Sequence, residues 1–388
     1  MIPGPWLLDP SVTHLNHGSF SAVPLPVLEA QNQWRRRWEA DTTEFVVSDW
    51  EPALDRSRAA LAELVGARSE DLVFVSNATA GVNIVARSLE FSPGDQILTT
   101  NHTYNACRNV LDYVASRSGA EVVSVQVPFP LADPTEVTER VVAAVTDRTR
   151  FALIDHITSA TGIVLPIEEI VSLLEKAGVA VMIDGAHGPG MVALDLDTLG
   201  ASYYTGNNHK WLSVPKGSAF LWARADRVDA LVPSTISHGW NDPRTDRPRF
   251  HVLFDYPGAV DVTAHLVVPD AIEFLAGLDP GGLAGLMARN RALALSQRRR
   301  LMDFLGVAEP APESMVGALA AVPISPAEPG GPPGIIDPLT RTLRTDYQIQ
   351  VPVFIWPAAP ERLLRISAAP YNDESDYDRL LEALAVEL

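Results

Sequence analysis

Between about residues 70 and 225, short apolar runs alternate with stretches whose apolar positions recur every three or four residues. The runs are Asp71–Asn77, Gln96–His102, Glu121–Val127, Arg150–Ile157, Val179–Asp184, Ser202–Thr205 and Ser218–Ala223. Between most of them lie helical patterns: Ala80–Leu89, Asn105–Ser116, Pro134–Val145 and Ile167–Ala177. Near-continuous apolar runs predict strands buried on both faces, and the amphipathic helices predict the crossovers that cover those faces. This is an α/β layer architecture with a seven-stranded, mainly parallel sheet. After about residue 265 the pattern changes to a helical stretch, Pro269–Leu305, and a Pro/Gly-rich loop, Pro326–Gly334. Two strand candidates come next, Gln348–Trp356 and Leu363–Ala368, then a closing helix, Asp373–Val386. The expected organisation is a loop-like N-terminal segment (1–30) at the cleft, a large domain (31–265) and a small α+β C-terminal domain (266–388).

Composition narrows the function classes. At 388 residues and 47% hydrophobic, the chain can bury a sizeable core, yet no apolar run approaches the roughly 18 residues of a membrane helix. The opening MIPGPWLLDP has neither the basic start nor the apolar stretch of a signal peptide, and one cysteine, Cys107, rules out a disulfide framework and a multi-cysteine metal site. A cytoplasmic location without a metal is expected. The net charge of −18 opposes a nucleic-acid partner, which requires a basic surface. The arginine triplets Arg35–Arg37 and Arg298–Arg300 read as solvated helix faces or intersubunit pairs.

In open α/β sheets, ligands bind beyond the carboxyl ends of the strands. Polar residues succeed the runs there: Ser76-Asn77-Ala78-Thr79, Asn101-His102-Thr103-Tyr104, His156-Ile157-Thr158-Ser159, Asp184-Gly185-Ala186-His187 and Asn207-Asn208-His209-Lys210-Trp211. A carboxylate ending an apolar strand, Asp184, is stable beside a buried cation, and a pyridinium N–H is such a partner. Lys210 lies 26 positions later between a histidine and a tryptophan. Desolvation lowers the pKa of such an amine and makes it a nucleophile for an aldehyde. These two residues point to pyridoxal 5′-phosphate, with Lys210 carrying it as a Schiff base and Asp184 holding its ring nitrogen protonated. Asn77-Ala78-Thr79-Ala80-Gly81 opens a helix whose N-terminus suits a phosphate. Asn207 and His209 add donors, and His102 or Tyr104 is placed to stack on the ring. Arg365 sits in the apolar stretch Leu363–Ile366, where a guanidinium calls for a carboxylate from substrate or from the protein. No Gly-x-Gly-x-x-Gly comes after the first strand, which argues against a nicotinamide dehydrogenase.

With these residues assembled, the chain resembles the class V aminotransferase group of fold-type I pyridoxal-phosphate enzymes, and within it the isopenicillin-N-epimerase-like branch, which includes related C–S lyases. The matching segments are Leu15–Phe20, Asn77–Thr79, Asp155–Ser159, Asp184–His187, Asn207–Leu212 and Leu364–Ser367. The resemblance implies that Ala78, Thr79, Asn207 and His209 bind the phosphate and that His187 lies near the O3′ edge. It places Ser159 and His156 near cofactor and substrate, has Arg365 clamp the substrate α-carboxylate, and has Asn16 and His17 close the cleft. It also implies a homodimer. One departure concerns the family's Gly-Thr, whose threonine reaches the neighbouring subunit's phosphate. Here the segment reads Pro257-Gly258-Ala259-Val260-Asp261. Either Thr263 substitutes for that threonine, or the contact is missing.

The freed Lys210 amine is placed to take the Cα proton of an amino-acid substrate. The subsequent fate of that proton and of the β-substituent distinguishes β-elimination, epimerisation and transamination. Desulfurases of this fold need a cysteine on a C-terminal-domain loop, and none occurs from Asp303 to Leu388. The resemblance to C–S lyases of small-molecule sulfur pathways makes C–S β-elimination on a cysteine conjugate in secondary metabolism the leading expectation, with epimerisation of the isopenicillin N type second and transamination as a further alternative.

Overall fold

The computed structural model describes residues 5–327 and 337–388. Among the described residues, twelve strands form three sheets: β1 (Thr13–His14), β2 (Leu72–Val75), β3 (Gln96–Thr100), β4 (Glu121–Val125), β5 (Thr149–Asp155), β6 (Ala180–Asp184), β7 (Tyr203–Asn207), β8 (Ala219–Ala223), β9 (Leu319–Ile324), β10 (Ile349–Gln350), β11 (Val353–Ile355) and β12 (Arg362–Ser367). The large sheet has the order β2-β8-β7-β6-β5-β3-β4. Only β8 runs against its neighbours β2 and β7. Two reversals return β2 to the common direction, so six strands deliver their carboxyl ends to one edge. Every run expected to be a strand of this sheet is one.

The apolar runs are continuous because both faces are covered. Along β5, Ala152 and Ile154 enter one core while Phe151 and Leu153 enter the other. In β6 the same alternation divides Val181 and Ile183 from Met182. Side chains of period two on a doubly covered sheet require this pattern. The helices Ala78–Ser88, Asn105–Ser118, Thr135–Ala143 and Ile167–Lys176 lie within two or three residues of their predicted bounds.

A third core surrounds the small antiparallel sheet β11-β12-β9, with Val322, Leu364, Ile366, Leu380 and Leu384 at its centre. Three departures from the sequence pattern occur around it. The stretch Pro269–Leu305 is two helices, Val268–Ala276 and Gly282–Leu305. Pro280 lacks a backbone donor, and Gly282 adopts φ +66°, which together end one helix and start the next. Strand β9 is absent from the sequence pattern because Pro323 interrupts it. It lies at the sheet edge, paired only with β12, where a missing N–H is tolerated. The first 30 residues, expected to be loop-like, contain β1, which pairs in parallel with β10, and the start of a helix, Leu25–Ala40. The Pro326–Gly334 loop falls largely outside the described residues. Helix Gly282–Leu305 joins the cores: Leu283 and Leu286 pack with the large sheet, Leu295 and Leu301 with the small one.

Of the arginine triplets, Arg35, Arg36 and Arg37 form exposed pairs with Asp261, Glu29 and Asp49. Arg298 instead is buried, and donates to the Ala311 carbonyl and Glu309. Among the described helices, none is long and apolar enough to cross a membrane.

Candidate active site

A cavity of about 360 Å³ opens at the common strand edge, within the usual size range of small-molecule sites. Ala78 and Thr79 after β2, Tyr104 after β3, Asp155 and Ser159 from β5, Asp184 and His187 from β6, and Asn207, His209 and Lys210 from β7 all line it. Gly18, Ser19, Phe20 and Phe354 close it from the N-terminal segment and the small sheet.

Helix Ala78–Ser88 begins at the cavity. Asn77 caps it by accepting from the Ala80 N–H at 2.8 Å, and Asn207 Oδ1 accepts from the Ala78 N–H at 2.8 Å. Asn207 thus ties the helix N-terminus to β7, and Asn77 caps it locally. Gly81 lies over Thr205, whose Oγ1 would be 2.3 Å from an added Cβ, so the helix can approach the sheet only with glycine there.

Three acidic or thiol groups sit side by side at the cavity floor. Asp155 and Asp184 are register partners on parallel strands, so their side chains emerge together on one face. Asp184 Oδ1 accepts from the Ala186 N–H at 3.0 Å, and Oδ2 accepts from the Cys107 thiol at 3.2 Å. Burial raises the pKa of Asp184, and burial together with the Asp184 charge raises that of Asp155 well above the carboxylate range. Asp155 Oδ2 is buried without a hydrogen-bond partner.

Lys210 Nζ lies 3.1 Å from His187 Nε2, and Trp211 Nε1 donates to His187 Nδ1 at 3.2 Å. Burial lowers the Lys210 pKa to about 8 against the opposing pull of Asp184. Burial, then the Lys210 charge, hold His187 well below its usual value. Ser213, with φ +53°, turns the chain directly after this lysine, donating its N–H to the Lys210 carbonyl at 3.0 Å. Arg365 is 1% exposed. It donates to the Ser159 carbonyl, to Ser19 Oγ at 2.7 Å and to Asn16 Oδ1 at 3.3 Å, and it lies 4.8 Å from the Phe354 ring centre. No carboxylate among the described residues pairs with it, and burial lowers its pKa to about 10. A guanidinium in this state calls for an anion.

A lysine, a strand-end aspartate and a helix N-terminus around one cavity agree with the family comparison: the model of the aminotransferase class-V family matches residues 15–246. The chain belongs to that family. It is 36% identical to isopenicillin N epimerase of Amycolatopsis lactamdurans, over 97% of this chain and 95% of the relative. It is 29% identical to a probable chloroplastic L-cysteine desulfhydrase of Arabidopsis thaliana, over 97% and 83% of the two chains. The solved complex of the cystine C–S lyase C-DES with its product cysteine persulfide has the same fold, with a TM-score of 0.81 at 19% identity, covering 96% of this chain and 97% of that one.

The cofactor of this class V enzyme is pyridoxal 5′-phosphate, and the residues present fit it. The buried Asp155–Asp184 pair, with one oxygen unpartnered, lacks a cation that a protonated ring nitrogen would supply. The asparagine-held helix N-terminus suits the phosphate, and Lys210 lines the same cavity.

Several expected site residues lie elsewhere. His102 does not line the cavity: Nδ1 is 2.8 Å from Thr161 Oγ1, Nε2 is 3.0 Å from the Val127 carbonyl, and its ring packs on Trp356. Of the two candidates for stacking, Tyr104 is the one that lines it. His156 points through the sheet to Tyr204, with Nδ1 3.0 Å from the hydroxyl. Asp155, Ile157 and Ser159 face the cavity and His156 does not, as a two-residue alternation dictates. Asn16 reaches the site through Arg365, whereas His17 packs behind it on Trp211 and Tyr371. Thr263 is fully buried, donating to Asp261 and accepting from Gln31, so its hydroxyl is unavailable to a neighbouring subunit. The sequence alone gives no role to Asp155, Phe20 or Phe354 and suggests only packing for Cys107. Asp155 has a legible signal, because it ends its strand as Asp184 does.

Proposed function

We propose that this enzyme is a C–S lyase that eliminates the β-substituent of a cysteine conjugate in secondary metabolism, acting in the cytoplasm as a homodimer. The state of Cys107 carries this reading. A desulfurase passes sulfur to an enzyme thiolate, but this thiol is fully buried, donates to Asp184 and is held protonated by burial and the neighbouring carboxylates. Sulfur therefore leaves with the departing group. The desulfhydrases among the relatives support the same class.

Bound pyridoxal phosphate supplies the electron sink for charge developing at Cα. Arg365 pairs with the substrate α-carboxylate and fixes the Cα–H bond relative to Lys210. The Lys210 amine takes the Cα proton. In the net reaction the Cα–H and Cβ–S bonds break, the thiol departs with a proton, and one water is consumed to give pyruvate and ammonia. Phe20 and Phe354 at the mouth provide apolar surface for the sulfur substituent.

Epimerisation is the second reading. It requires a proton donor on the face of Cα away from Lys210, and the Tyr104 side chain lines the cavity from the β3 side. Incubation with S-substituted cysteines in deuterated water separates the readings. Thiol and pyruvate are expected; deuterium at Cα with inverted configuration and no thiol would replace elimination by epimerisation, and a keto acid retaining sulfur would mean transamination. The homodimer reading is supported by Phe20, an apolar side chain that lines the cavity mouth and stays 77% exposed. An active monomer in sedimentation would remove it.

A further inference from the structure

The contact between Lys210 and His187 carries information that distances alone do not, because the hydrogens around it can be counted. An indole nitrogen only donates. Trp211 Nε1 lies 3.2 Å from His187 Nδ1, so Nδ1 must be the bare, accepting nitrogen. A neutral imidazole has one proton, which therefore resides on Nε2. Nε2 is the atom 3.1 Å from Lys210 Nζ. An Nε2–H can be satisfied there only by a lone pair, which an amine has and an ammonium lacks.

We propose that Trp211 is a positioning residue that locks His187 in its Nε2–H tautomer and thereby favours the unprotonated amine of Lys210. This rests on the reading of Lys210 as the reactive amine and deepens it. The indole is built into the site: Trp211 is 4% exposed and packs with Ile157, Met191, Ala318 and Leu319. Its ring centre lies 4.9 Å from that of His17. Gly190, with φ +82°, allows this approach, since a Cβ there would come 2.7 Å from the Trp211 backbone.

The other groups acting on Lys210 do not account for the lock. Asp184, then Asp155, favours the ammonium form. Arg365 disfavours it, as does burial, but neither selects a tautomer of His187. The ring is itself kept neutral by burial, with Lys210, Arg365 and His17 acting in the same direction. If Nδ1 carried the proton, Nε2 would offer its lone pair to an ammonium, and the contact would favour the charged lysine instead. The indole N–H selects between these two outcomes.

The test uses the cofactor-free protein labelled with ¹⁵N-histidine. Two-bond ¹H–¹⁵N correlation reads the tautomer of each ring, with His187→Gln assigning the resonance. The wild type should show Nε2–H at His187. Trp211→Phe keeps an aromatic ring and removes only the donor, and should admit the Nδ1–H form. The pH profile of Lys210 reaction with added pyridoxal phosphate, followed by visible absorbance, should move upward by about one unit in this variant, lowering the rate at neutral pH about tenfold. An Nδ1–H tautomer in the wild type overturns the proposal, whether or not the variant folds. So does a folded Trp211→Phe protein with an unmoved pH profile. Borohydride reduction and mapping of the modified lysine separately test Lys210, so failure of that reading is distinguishable from failure of the tautomer lock.

Discussion

Replacing Lys210 by methionine should stabilise the cofactor-free protein, and by an amount that depends on pH in a definite way. Methionine has similar length, is apolar and adapts to irregular cavities. The folded protein lowers the lysine pKa from 10.5 to about 8, chiefly by desolvating the ammonium. Below pH 8 the lysine is charged in both folded and unfolded chains, and the folded state bears the whole penalty. Each pH unit between the two values is worth about 1.4 kcal/mol, so the penalty reaches about 3 kcal/mol at pH 7. Partial solvent contact of the side chain makes that an upper figure. As pH rises through the folded value the amine loses its proton and the penalty shrinks, to about 1 kcal/mol at pH 9.5, and it vanishes above the unfolded value. The His187 contact is made by the neutral amine, so its loss in the variant, about 1 kcal/mol, is felt mainly at the higher pH and moves the difference in the same direction. Urea unfolding of apo wild type and Lys210→Met at pH 7 and pH 9.5 reads the difference directly. The advantage of the variant should fall by at least roughly 2 kcal/mol between them. A constant difference would refute the claim that burial, acting on the charged amine, sets the reactivity of Lys210.

Arg365→Ala should weaken amino acids bearing a free α-carboxylate by roughly 10- to 100-fold, the worth of a charge-assisted pair; unchanged saturation kinetics would remove its role as clamp. Asp155→Asn should stabilise the apoprotein more at pH 8 than at pH 5. The folded pKa of Asp155 is raised, so its cost appears as pH climbs above the unfolded value, and urea midpoints at the two pH values that move equally would contradict this. Gly185→Ala would place a Cβ 2.0 Å from Tyr204 Cζ, behind the loop carrying His187. It should cost about 2 kcal/mol and disturb the Tyr204–His156 contact, and a wild-type melting temperature would show that the ring gives way freely.

The large sheet and the outline of the site are legible in the chain because both obey local rules. Doubly covered strands must be apolar on both faces, so β5, β6 and β7 stand out as runs, and the polar residues that end them mark the edge where ligands bind. Lys210, Asp184 and Arg365 can be chosen because a charged group in an apolar setting requires a partner. Orientation is less accessible. His156 reads as a site residue in the chain although it adjoins Asp155, and the pleat sends neighbours to opposite faces, one to the cavity and one to Tyr204. His102 loses its place to Tyr104 because the Thr161 hydroxyl and the Val127 carbonyl, distant in sequence, hold both its nitrogens. Strand β9 is hidden because Pro323 is acceptable only at an edge, and which strands are edges is a property of the assembled sheet. The same holds at the centre of the site. The sequence by itself placed Lys210 and Trp211 after one strand and His187 after another. Only the tertiary structure decided that the indole N–H faces Nδ1 and the amine faces Nε2, because hydrogen bonds are set by where atoms meet in space.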